Sequence, residues 1–177
     1  MADQALPPVL EKILATDSEP DAIFREMLPA LGDVLQCHRC FLYLRNPQTQ
    51  MGKIAYCWLR SNQYPDVTDA DWKKEPESLP QEDPLFAAAL RAEDSIFVED
   101  VETASPEVVS VKFERENFGH RALIHAHLRQ DGQLWAILQP CMFGQPRVWT
   151  DFDRCVITQL EKKLAPLAVT YVKEAGI

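Results

Sequence analysis

The sequence predicts a single antiparallel α+β domain. Helical periodicity occupies both ends of the chain, the strand-like segments between them come in hairpin pairs, and 177 residues suit one core.

At the start, Pro8, Val9, Leu10, Ile13 and Leu14 mark a first helix. A second follows from about Pro20, with Asp17 or Ser18 as its cap. Its apolar residues Ile23, Phe24, Met27, Leu28, Leu31, Val34 and Leu35 recur at three and four, and Pro29 predicts a kink or break inside it. CFLYLRN and KIAYCWLRS, joined by NPQTQMG, read as an antiparallel hairpin. Residues from about 64 to 83 hold seven carboxylates and several prolines, which predicts a solvated acidic excursion with a turn near Trp72. PLFAAALRA reads as a short helix and SIFVEDV as a short strand. Pro106, capped by Ser105, predicts a helix presenting Val108, Val109, Phe113 and Phe118.

Asp131-Gly132 is the strongest hairpin signal, joining RALIHAHLRQ to QLWAILQPCM. Pro140 cannot donate to a ladder, so pairing should be disturbed there. Thr150 with Asp153 resembles a capping box opening the last helix, whose stripe is Phe152, Val156, Leu160, Leu164, Leu167 and Tyr171. Pro166 lies inside that stripe and predicts an interruption. The terminal helices therefore cover about 8–36 and 151–174 of one domain spanning 1–177.

A net charge of −9 argues against nucleic acid and anionic membrane surfaces as partners. No apolar run approaches the roughly 20 residues of a membrane span. The N-terminal segment lacks a signal peptide's basic start and apolar core, so a cytoplasmic location is expected. Five irregularly spaced cysteines do not suit a disulfide framework. Cys37-His38-Arg39-Cys40 has CxxC spacing without a thioredoxin-like unit or a second ligand pair, so packing is its expected role.

The order SIFVEDV, RALIHAHL, DGQLWAIL and PRVWTDFD resembles a GAF domain, in its phytochrome and cyanobacteriochrome variety. The resemblance implies a central antiparallel sheet with the terminal helices on one face and a pocket on the other. In that variety a cysteine, usually followed by histidine, tethers a linear tetrapyrrole. Here the corresponding positions fall near Ser110 and Val111, and the strand histidine that contacts the pigment falls at Cys141. A hydroxyl is a poor substitute for a nucleophilic thiolate, so no covalent bilin is expected and no cofactor is assigned.

Alternation places Leu123, His125 and His127 on one face of their strand, opposite Ala122, Ile124, Ala126 and Leu128. On the next strand Trp135, Ile137, Gln139 and Cys141 share a face, opposite Leu134, Ala136 and Leu138. The family pattern turns the Cys141 face to the pocket. The candidate pocket residues are thus Asp100, Phe113, Phe118, His125, His127, Gln139 and Cys141. Asp100 could orient a nitrogen-rich ligand or simply cap a turn. The two histidines with Cys141 also admit a metal reading, but no tight ligand motif supports it, and no metal or catalytic residue is assigned.

These residues favour a non-catalytic sensory or regulatory module. It would act through a small-molecule pocket or through protein association, including a homodimer built on the terminal helices. The competing readings are an adaptor or assembly factor with an empty pocket and, behind it, a methionine sulfoxide reductase using Cys57 and Cys141.

Overall fold

A computed structural model describes residues 4–177. Helices α1 (Pro8–Leu14) and α2 (Pro20–Leu35) lead into strands β1 (Arg39–Asn46) and β2 (Met51–Leu59). The short β3 (Lys73–Lys74), α3 (Leu79–Glu82), α4 (Pro84–Leu90), β4 (Ile96–Val98) and α5 (Val111–Asn117) follow. The chain closes with β5 (Ala122–Gln130), β6 (Gln133–Met142) and α6 (Asp151–Ala175). The strands form one six-stranded sheet in the order β3-β2-β1-β6-β5-β4, antiparallel throughout.

The main core lies between one sheet face and α1, α2 and α6. Leu10, Phe24, Leu31, Ile157, Leu160 and Leu164 meet Cys40, Leu42, Leu44, Ile124, Ala126 and Leu138 there, all buried. Val156, Leu160 and Leu164 of the α6 stripe are thus spent on the chain's own sheet, whereas Phe152 is 46% exposed. A smaller core on the other face gathers Phe41, Leu85, Val98, Val101, Val109, Leu123 and Cys141.

Several local expectations are corrected. Glu19, not Asp17 or Ser18, is the N-cap of α2, and it makes no side-chain cap bond because Pro20 already occupies the first helical position. Pro29 and Pro166 do not break their helices, since packing on the sheet outweighs one lost backbone bond in each. The helix expected from Pro106 starts at Val111 instead. Ser110 is its cap, accepting from the Phe113 N–H at 3.2 Å, while Ser105 stabilises only a preceding turn. The Asp131-Gly132 turn behaves as its residue types demand, with φ of 53° and 74°. The Thr150–Asp153 capping box is complete. Arg147 reaches the Asp153 carboxylate at 3.2 Å and Trp149 Nε1 donates to the Val98 carbonyl at 3.0 Å, so the Pro-Arg-x-Trp segment fastens α6 to β4.

A register shift between Leu128 and Arg129 leaves Trp135 without a partner on β5. This bulge reverses the expected faces: Trp135 joins the helix-side core, and Leu134 packs with Ile137 and Phe86 on the other side.

Gly32 allows α2 to rest on β2. A Cβ there would lie 2.1 Å from the Trp58 ring. Gly32→Ala should therefore destabilise the fold by about 1–3 kcal/mol in urea unfolding, although alanine is the better helix former. An unchanged midpoint would contradict this packing.

Candidate functional site

On the sheet face away from the terminal helices lies a cavity of about 380 Å³. That volume is at the small end of the range for ligand sites. Its floor is the pocket-side alternation of three central strands: Phe41 and Tyr43 from β1, Ile137 and Gln139 from β6, and His125 from β5. Phe86 of α4 and Phe113, Asn117 and Phe118 at α5 form much of the wall. Residues of the 64–83 segment close the remaining side, among them Asp69, Lys73, Lys74 and Glu75.

Of the seven residues singled out in the sequence, Phe113, Phe118, His125 and Gln139 meet at this cavity. The other three lie elsewhere. Asp100 makes a two-pronged pair with Arg121, at 2.7 and 3.0 Å, and accepts from the Glu102 N–H at 2.9 Å. The guanidinium holds its carboxyl below the usual range, and its role is to cap a turn. Cys141 sits on the pocket side of the sheet but is fully buried in the small core, where its thiol donates to the Gln139 carbonyl at 3.3 Å. His127 lies behind the cavity, with Nδ1 2.8 Å from the Glu93 carbonyl and Nε2 2.8 Å from His125 Nδ1. No group of three or more potential metal ligands occurs among the described residues.

Burial lowers the pKa of His125 well below its ordinary value and also lowers that of His127. Both rings are therefore neutral near pH 7. The unfolded chain takes up their protons below about pH 6.5 while the fold resists, so stability should drop as pH falls from there. The slope is up to about 1.4 kcal/mol per pH unit for each ring. Asp83 and His120 act in the opposite sense. Burial raises the Asp83 carboxyl to about 7, so between the unfolded carboxylate range and that value stability grows as pH falls. His120, raised despite burial to about 9 by its Cys141 and Glu114 neighbours, adds stability as pH falls toward about 6.5. Melting from pH 7.5 to 5 should show the histidine loss as the larger effect in Asp83→Asn, and a reduced loss in His125→Phe. Equal pH slopes in the native chain and His125→Phe would contradict the neutral assignment.

The 64–83 segment is not wholly solvated, contrary to expectation. Glu75 is buried against Arg45, with contacts of 2.7 and 2.9 Å, and accepts from the Tyr43 hydroxyl at 2.6 Å. Burying a strand arginine requires a counter-charge, and the excursion supplies it. A second buried polar group was also missed. Arg39 donates to the Pro65 carbonyl at 3.0 Å and lies 3.3 Å from His120 Nδ1, while His120 Nε2 meets Glu114. Arg39, Phe41, Tyr43 and Arg45 alternate in sequence, and that period was the available signal.

The family model of the GAF domain matches residues 19–164. Among solved structures, a phycocyanobilin-bound GAF domain from a cyanobacterial phytochrome superposes with a TM-score of 0.73 at 16% identity, covering 96% of this chain and 98% of that one. The photoproduct state of a GAF domain from Synechocystis gives 0.67 at 23% identity, over 89% and 98%. A GAF domain from the phosphoenolpyruvate-protein phosphotransferase of Coxiella burnetii gives 0.68 at 12% identity, over 96% and 95%. No curated protein sequence matches. At these identities the structures speak for the fold, while the sequence match, covering most of the chain, assigns it: this protein belongs to the GAF domain family.

Proposed function

We propose that the chain is a non-catalytic regulatory module that holds a small molecule non-covalently in the cavity and conveys its occupancy to the terminal helices. One observation carries this reading: His125 and Gln139 are largely buried and line the cavity, and His125 Nε2 and the Gln139 amide, engaged in no hydrogen bond with the described residues, are the polar atoms its floor presents to the cavity space. Water can complete their hydrogen bonds in the empty cavity, and a ligand of matching pattern would displace it and make them directly.

A route to α6 supports the second half. The His127 N–H donates to Ser95 Oγ at 2.9 Å, and Ser95 Oγ donates to Glu161 of α6 at 2.8 Å. Output would then proceed by association, with a homodimer on the terminal helices as the simplest case. Val9 on α1 and Phe152 on α6 are its exposed apolar candidates.

Binding without a covalent tether fits the residues at the attachment position. Ser110 uses its hydroxyl to cap α5, and Val111 has no nucleophile. The non-catalytic reading over a cysteine-dependent reductase rests on the thiols. Burial pushes Cys57 up to about 11, which keeps it protonated near neutral pH, and Cys141, its partner in that reading, is fully buried away from the cavity. Free cysteines also suit a reducing, cytoplasmic setting.

Native mass spectrometry tests this reading. The expected result is a dimer carrying a small molecule that departs on denaturation. Repeated recovery of the bare chain would favour an adaptor with an empty pocket. After coexpression with a bilin, no coloured band should survive denaturing electrophoresis; a surviving band would overturn non-covalent binding.

A further inference from the structure

The cavity floor defines the hydrogen-bonding pattern its occupant must match. A backbone carbonyl can only accept, so the 2.8 Å contact with the Glu93 oxygen places the His127 proton on Nδ1. In the neutral ring, Nε2 is then an acceptor. The 2.8 Å contact between His127 Nε2 and His125 Nδ1 in turn places the His125 proton on Nδ1. His125 Nε2 is left as a lone pair at the cavity, on a residue only 2% exposed, with no partner among the described residues. One main-chain oxygen thus fixes two tautomers in succession.

Gln139 stands beside it. Bridge pairs Leu123–Cys141 and Ala126–Leu138 bracket the two residues, which puts His125 opposite Gln139 across β5 and β6. No bridge forms at that level, next to Pro140, which has no N–H to give. Gln139 is 6% exposed, and none of its side-chain bonds is taken up by the described residues. It offers both donors and an acceptor. Together the two residues present a lone pair next to an amide.

The remaining lining selects shape and charge. Phe41, Phe86, Phe113 and Phe118 offer aromatic surface, and the Phe41 and Phe118 rings stack 5.5 Å apart. The charged lining groups are mostly occupied with one another. Glu75 is paired with Arg45, Lys73 with Asp69 at 2.8 Å, and Lys74 donates to the Thr49 carbonyl at 2.7 Å. An anion entering would also face Glu82 and Asp83.

We propose that the cavity takes a neutral, planar lactam-type heterocycle whose N–H donates to His125 Nε2 and whose adjoining carbonyl accepts from the Gln139 amide. This rests on the small-molecule reading above and narrows it to a ligand class.

The test uses quinolin-2(1H)-one and its N-methyl derivative as probes, titrated into the nitrogen-15-labelled chain. The parent lactam should shift the His125 ring signals and bind about tenfold more tightly than the methylated compound, the worth of one well-made hydrogen bond. His125→Phe should abolish that preference, and Gln139→Leu should weaken both probes alike, since both carry the carbonyl. Equal binding of both probes to the native chain would overturn the donor pattern and leave the pocket reading standing. If neither probe moves any cavity signal up to millimolar concentration, the lactam assignment falls, while native mass spectrometry still decides the pocket reading.

Discussion

Glu75→Ala should cost about 3–5 kcal/mol of folding stability, because it strands the Arg45 guanidinium in the protein interior. The two side chains are only 5% and 8% exposed, and Arg45 also donates to the Leu134 carbonyl at 3.0 Å. The penalty arises from the unpaired charge more than from the lost attraction. The double variant Arg45→Met with Glu75→Leu should accordingly recover a large part of the loss, though the Tyr43 hydroxyl and the Leu134 carbonyl would still lack their partners. Urea unfolding of the two variants checks this. A single variant no less stable than the double would contradict it. The ion pair also holds the acidic segment against β1, so Glu75→Ala should open the side of the cavity that this segment closes.

Phe24→Ala is the second large effect, also about 3–5 kcal/mol. Phe24 is fully buried at the junction of three elements. Its ring meets Tyr56 of β2 at 5.6 Å and Tyr171 of α6 at 6.1 Å. Truncation leaves a void between both terminal helices and the sheet, where collapse is limited by the packed backbone. Calorimetry should show a lowered melting temperature with the transition still cooperative. A loss below about 1 kcal/mol would mean that the helical layer repacks freely, contrary to the close packing seen there.

Much of the fold was legible because period and punctuation are local properties. The alternation of Ala122, Ile124 and Ala126 against Leu123 and His125 set the two faces of β5, and Asp131-Gly132 fixed the turn. Thr150 and Asp153 announced α6. What failed depended on neighbours distant in sequence. Nothing near Trp135 shows that β6 holds one residue more than β5 at that point, so two faces were interchanged. The proline rule mispredicted Pro29 and Pro166 because it prices the backbone bond and ignores the sheet beneath. Glu75 read as one solvated carboxylate among seven until Arg45, thirty positions earlier, was found against it.

The site was legible to the same extent. Strand alternation brought out His125 and Gln139, and the aromatic residues around α5 followed from the family resemblance. His127 shares a strand face with His125, yet lies behind the cavity, because its ring turns toward the Glu93 carbonyl at the end of the α4 connection. Cys141 shares the face of Gln139 but lies one pleat farther along, under Val98 and Val101. Alternation gives the side of a sheet, and the covering helices and loops decide where on that side a cavity remains.

The most direct measurement is a pH titration of the histidine ring nitrogens by nitrogen-15 NMR in the ligand-free chain. Both His125 and His127 should carry their proton on Nδ1, and His125 should stay neutral well below the ordinary histidine pKa of about 6.5. A His125 ring protonated on Nε2, or one titrating at the ordinary value, would contradict the account.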